Sequence, residues 1–135
     1  MVITLGAVIE SKRVVFARCK KCGRIYWHFS DEEPWSVMEG RLNQHLWWHV
    51  SKGTMTPEEA REGWHRWFDL IWYRVFDPAK TRMSIKRYRA LHPDFISLHD
   101  YNIWKQMAQI YPSGLINIAR SAFNERLKLR NTLGG

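Results

Sequence analysis

Residues 19–49 read CKKCGRIYWHFSDEEPWSVMEGRLNQHLWWH, opening on Cys19-Lys20-Lys21-Cys22 and closing on His45-Leu46-Trp47-Trp48-His49. A Cys-x2-Cys turn followed by Gly23 suits a tight knuckle whose backbone N–H groups point at the thiolate sulfurs. A His-x3-His pair on a helix puts both imidazoles on one face, because positions i and i+4 are neighbours there. Two thiolates and two imidazoles fill a tetrahedral shell and leave no position for water. One structural Zn2+ held by Cys19, Cys22, His45 and His49 is therefore expected to build fold and not to do chemistry. His28 is near enough in sequence to replace either histidine as a ligand.

Tyr26 stands four residues after Cys22, and Leu42 three residues before His45. With these the segment from Phe16 to Val50, about a quarter of the chain, resembles the Cys2His2 zinc-finger family. The resemblance implies a ββα module folded on one Zn2+. It departs from the family in its length, since fifteen residues, Trp27 to Arg41, separate Tyr26 from Leu42. That insertion starts the helix early and displaces the family's base-reading positions, and no second finger follows.

With 135 residues, the chain can hold one core, or a metal-held module docked on a helical one. Both cysteines are spent in the knuckle, so no disulfide framework is expected, and the pattern suits a reducing, intracellular compartment. The opening Met1 to Ile9 lacks a basic leader and is too short to span a bilayer, so no membrane partner is expected. Net charge is +8, unevenly spread. Residues 1–79 carry eleven Lys/Arg against ten Asp/Glu, whereas residues 80–135 carry ten against three. Lys12 to Arg24 adds six basic residues and no acid on the knuckle itself.

Val2 to Ile9 and Arg13 to Arg18 read as strands joined by a turn at Glu10-Ser11-Lys12, with a third from Gly23 to Phe29. Ser30-Asp31-Glu32-Glu33 reads as a capping box opening a helix to about Ser51 that stops at Gly53. Thr56-Pro57-Glu58-Glu59 is a second such box, followed by the apolar stripe Ala60, Trp64, Trp67, Phe68, Ile71 and Val75, which predicts one core helix. Basic residues dominate Ala79 to Leu91. Ser97 starts a helix to Tyr111, and Pro112-Ser113-Gly114 turns the chain into a last one, with Leu115, Ala119, Ala122, Phe123 and Leu127 as its buried face. The expected fold is α+β and mainly α: a zinc-stapled β-hairpin/helix module over residues 1–53, then a basic helical bundle over 54–135.

Enzyme signatures are missing: no Gly-rich phosphate loop, no Gly-x-Ser-x-Gly elbow and no His-Glu-x-x-His pair occurs. A non-enzyme without a small-molecule substrate is expected. Tyr88 to Asp94 contains His92-Pro93-Asp94, which resembles the loop of J-domain co-chaperones, although Phe95 stands where that family has a basic residue. A basic zinc module joined to basic helices fits nucleic acid better. Lys80, Arg82, Lys86, Arg87, Arg89, Arg120, Lys128 and Arg130 are the expected phosphate contacts on duplex DNA. Trp47, Trp48 and Trp72 lie off the apolar stripes and are the expected subunit interface in a homo- or hetero-oligomer. In size, composition and helix order the chain is similar to coat proteins of filamentous viruses of hyperthermophilic archaea. That resemblance implies an architectural nucleocapsid protein that self-associates to package duplex DNA, with the virion as its compartment. A zinc-finger transcription regulator is the alternative reading.

Overall fold

A computed structural model describes residues 7–80, 86 and 94–134, with side chains described as far as Lys128. Its organising element is one long strand, β1 (Val8–Cys19). Successive side chains of an extended chain point to opposite faces. Val14 and Phe16 accordingly enter one core, and Ala17 and Cys19 another. The chain turns through the knuckle into β2 (Ile25–Phe29), antiparallel to β1, with Arg18 opposite Ile25 and Val14 opposite Phe29. On the other side of β1 lies β3 (Phe68–Phe76), also antiparallel, and β4 (Phe95–Ser97) pairs in parallel with β3. The strand order is β2-β1-β3-β4.

Helices cover both faces of this sheet. On one, α1 (Trp35–Ser51), α2 (Pro57–Arg61) and α3 (Trp64–Trp67) pack Met38, Leu42, Leu46, Ala60 and Trp64 over Ala17, Cys19 and Phe68. On the other, α4 (Leu98–Ile110) and α5 (Pro112–Gly134) lay Tyr101, Leu115, Ala119 and Phe123 over Val14, Phe16, Ile71 and Tyr73. The class is α+β with helix predominating, as the sequence implies. The layering is helix, sheet, helix, and β3, from the expected helical bundle, pairs with β1 along most of its length. The sheet thus spans the boundary expected after Gly53.

Four local expectations are corrected. Residues 57–76 form two short helices, α2 and α3, and a strand instead of one helix. Within them Ile71, Tyr73 and Val75 are buried and Trp72 and Arg74 exposed, a period of two that β-branched and aromatic residues favour. Glu10-Ser11-Lys12 is no turn: β1 runs through it, with a register irregularity between Ile9 and Arg13. Ser30 does not cap α1, whose N-cap is Pro34 without a side-chain bond. Its hydroxyl instead accepts from Arg13 N–H at 2.7 Å and donates to Ser11 O at 3.0 Å, tying down the irregular stretch of β1. Leu127, expected on the buried face of α5, is 48% exposed.

Candidate metal centre

The knuckle forms because Gly23 can take φ 79°, a left-handed conformation that costs glycine little. Gly23 N–H donates to Cys19 O at 2.8 Å, and Cys19 N–H to Arg24 O at 2.9 Å, closing the turn between β1 and β2. Burial pushes the Cys19 thiol up, while the backbone N–H groups of Cys22 and Lys21, directed at its sulfur, pull the other way. Such donors stabilise a thiolate and leave its remaining lone pairs for a metal.

Opposite the knuckle, α1 presents His45 and His49 from its buried face, and both are at most 5% exposed. Cys19 Sγ lies 3.5 Å from His49 Nε2, and Cys22 Sγ lies 3.3 Å from His45 Nε2. All four donor atoms fall within 4.8 Å of one another. Zinc bonds of ~2.3 Å to sulfur and ~2.0 Å to nitrogen, at tetrahedral angles, require S···N separations of about 3.5 Å. The donor set therefore fits one structural metal ion, and it joins the β1–β2 turn to the last turns of α1.

The histidines are held in the ligating form. Thr54 has one hydroxyl proton, which it donates to His49 O at 3.1 Å. Its 2.7 Å bond to His49 Nδ1 must then be received from an Nδ1–H, which leaves the Nε2 lone pair facing the sulfurs. Burial lowers His49, helped by the charge of Lys21. Burial, with His49 and Arg24, holds His45 down at about 4. Both shifts favour the neutral ring, the form that binds a metal. Trp48 stacks on His45 at 5.5 Å and 13°, and Tyr26 and Phe68 meet the same ring edge-on.

His28 is no ligand. It is 4% exposed, and its Nε2–H donates to Glu33 O at 2.9 Å, which binds the end of β2 to the entrance of α1. Thr54 is the residue that the spacing did not reveal. A hydroxyl beside a helix-ending glycine was its only signal.

Around the centre the surface is basic and aromatic. Lys20, Lys21 and Arg24 are exposed on the knuckle. Lys21 Nζ sits 5.3 Å from the Trp67 ring, Arg24 lies 5.1 Å over Tyr26, and Lys52 lies 5.9 Å from Trp48. Of the other expected contacts, Lys80, Lys86, Arg120 and Lys128 are exposed. Arg82, Arg87 and Arg89, the Arg130 side chain, and His92 with Pro93 lie outside the described residues. Trp47, Trp48 and Trp72 are 44%, 48% and 42% exposed. They do not form one patch. Trp72 packs against Trp35 at 5.3 Å, at the start of α1, and Trp47 follows twelve residues later, roughly 18 Å along the helix.

Among the described residues no helix is long and apolar enough to cross a membrane. Compared with known proteins, the chain matches no family model, no curated sequence and no solved structure.

Proposed function

We propose that the protein is a non-enzymatic, zinc-stapled architectural protein that binds duplex DNA through its phosphates and self-associates to package it, as a nucleocapsid or coat protein does in a virion. The observation that carries this reading is the exposed cluster of Lys20, Lys21 and Arg24 on the rim of a closed four-ligand centre. Two thiolates and two imidazoles at tetrahedral spacing select zinc among common ions. With the shell filled by protein, the metal's contribution is to fix the basic knuckle against α1. Among the described residues, the exposed Lys80, Lys86, Arg120 and Lys128 extend the cationic surface.

Base readout by α1 is poorly supplied, which favours packaging over the regulator. Its exposed early positions are Ser36, Val37 and Gly40, and Arg41 is engaged by both carboxylate oxygens of Glu33 at 2.7 and 3.2 Å. Phosphate contact needs only exposed cations, and the knuckle has them.

The test is a salt titration of binding to two unrelated duplexes, for wild type, Arg24→Ala and Arg120→Ala. The two duplexes should bind alike, with affinity falling steeply with salt. Each phosphate contact contributes about 0.9 to the log–log slope, so each substitution should lower the slope by roughly one. A preference for one duplex that survives high salt would favour the regulator, and no binding at low salt would remove the DNA reading.

A further inference from the structure

Where α1 begins, the face of the sheet that carries the metal centre holds a cavity of about 310 Å³, whose lining includes Arg13, Val15, His28, Trp35 and Trp72. Strand register builds it. Val15 pairs with His28 of β2 and with Trp72 of β3, so these three stand in one row, and Arg13, two residues before Val15, shares its face. Trp35, the first residue of α1, closes one side: its ring meets His28 edge-on at 5.4 Å and lies 5.3 Å from Trp72, tilted by 37°. Trp72 is 42% exposed and meets no other ring among the described residues, which leaves indole surface free to stack.

The polar groups show what the cavity lacks. Two carboxylates line it, and both are engaged: Glu33 accepts from Arg41 through both oxygens, at 2.7 and 3.2 Å, and Glu10 accepts from Arg74 at 3.1 Å. The Ser30 hydroxyl is held by Arg13 N–H and Ser11 O. Arg13 itself is exposed, and its guanidinium makes no ion pair, hydrogen bond or ring contact with another described residue. It stands at the end of the irregular stretch of β1, a kind of irregularity that re-aims side chains beside binding sites. His28 is 4% exposed. With its Nε2–H given to Glu33 O, its Nδ1 is a buried acceptor that has no donor among the described residues.

We infer that this cavity holds a single nucleotide whose base is unpaired, with the base stacked on Trp72, an N–H of its edge donated to His28 Nδ1, and its phosphate on Arg13. Aromatic rings beside cations hold unpaired nucleotides in this way with little regard to sequence. An acidic side chain of a protein partner would satisfy Arg13 alone and an aromatic one Trp72 alone, whereas a nucleotide satisfies all three groups. The bases of a duplex face each other inside the helix, so the occupant is a free nucleotide or one in a single strand. The site goes beyond the duplex reading and is separate from it in place. Arg13 stands roughly 20 Å along β1 from Cys19 and the basic knuckle.

The test is fluorescence anisotropy with a short labelled oligothymidylate and an abasic strand of equal length, for wild type, Trp72→Leu and Arg13→Ala. Thymidine monophosphate and a peptide rich in glutamate and phenylalanine serve as competitors. Both substituted positions are exposed, and unchanged metal content and thermal unfolding would certify that the variants fold. Wild type should prefer the oligothymidylate to the abasic strand. Trp72→Leu should weaken oligothymidylate binding about 5- to 150-fold, abolish that preference and leave duplex binding unchanged. Arg13→Ala should lower the single-strand log–log salt slope by about 0.7. Competition by the monophosphate would show that the site takes a free nucleotide, and its failure to compete would restrict the site to a strand. Wild type that binds neither strand, or both equally, would overturn the nucleotide site, as would displacement by the peptide alone. A folded Trp72→Leu that binds the oligothymidylate like wild type would overturn it too. If Trp72→Leu does not fold, the wild-type comparison of the two strands and the Arg13→Ala slope decide. Duplex binding stands or falls separately, by the salt titration above.

Discussion

At the scale of single residues, two side chains outside the ligand set decide how the centre and its surroundings behave. Thr54 fixes the tautomer of His49. Thr54→Val should therefore weaken metal binding about 10–100-fold while leaving the metal-saturated fold in place, measured by competition with a chromogenic chelator. Asp31 accepts from Tyr101, Lys12 and Lys105 and so links the hairpin to α4. Burial works against its charge, but these donors outweigh burial and hold the carboxyl at about 2. Its folded pKa lies below the unfolded value of about 3.9. The stabilisation is thus complete above about pH 4 and is lost as pH falls through about 2. Between pH 5 and 2 wild type should lose roughly 1–2 kcal/mol more than Asp31→Asn, allowing for a partly exposed site. Ligand protonation affects both proteins alike, so the difference isolates Asp31. The four ligands were legible in the sequence because spacing and helical phase specify them. Thr54 and Asp31 were not, because each acts through a partner that only tertiary structure brings near.

Among the elements, legibility followed how far local signals agreed. The Thr56 box forms as written: Thr56 Oγ1 accepts from Glu59 N–H at 3.1 Å, and Glu59 accepts from Thr56 N–H at 3.0 Å. Thr56→Ala should cost about 1 kcal/mol in chemical denaturation, with the slope against denaturant unchanged. Ser30-Asp31-Glu32-Glu33 carries the same letters and does not cap, because β1 claims the Ser30 hydroxyl. Competition from a strand distant in sequence cannot be read from a four-residue motif. Residues 64–76 failed for another reason. Trp64, Phe68, Ile71 and Val75 satisfy a helical spacing, and Ile71, Tyr73 and Val75 satisfy an alternating one. The place beside β1 decided between them, and that pairing is non-local. Replacing Ile71, 2% exposed at the centre of β3, with Ala should cost about 2–5 kcal/mol.

Across the whole molecule, the metal centre lies at one end of the central strand, where Cys19 closes β1 and α1 crosses the sheet. Fixing that corner holds the basic knuckle in place and orders α1. Structural sites of this kind contribute folding free energy directly, so binding the ion and ordering the corner are one equilibrium. The measurement that tests this most directly is a native mass spectrum of wild type and Cys22→Ser, paired with thermal unfolding of each with and without chelator. One zinc per wild-type chain, no metal in Cys22→Ser, and a lowered melting temperature in both the variant and the chelated wild type are the predicted results. A wild type that carries no metal, or a Cys22→Ser protein that keeps both its metal and its stability, would contradict the account.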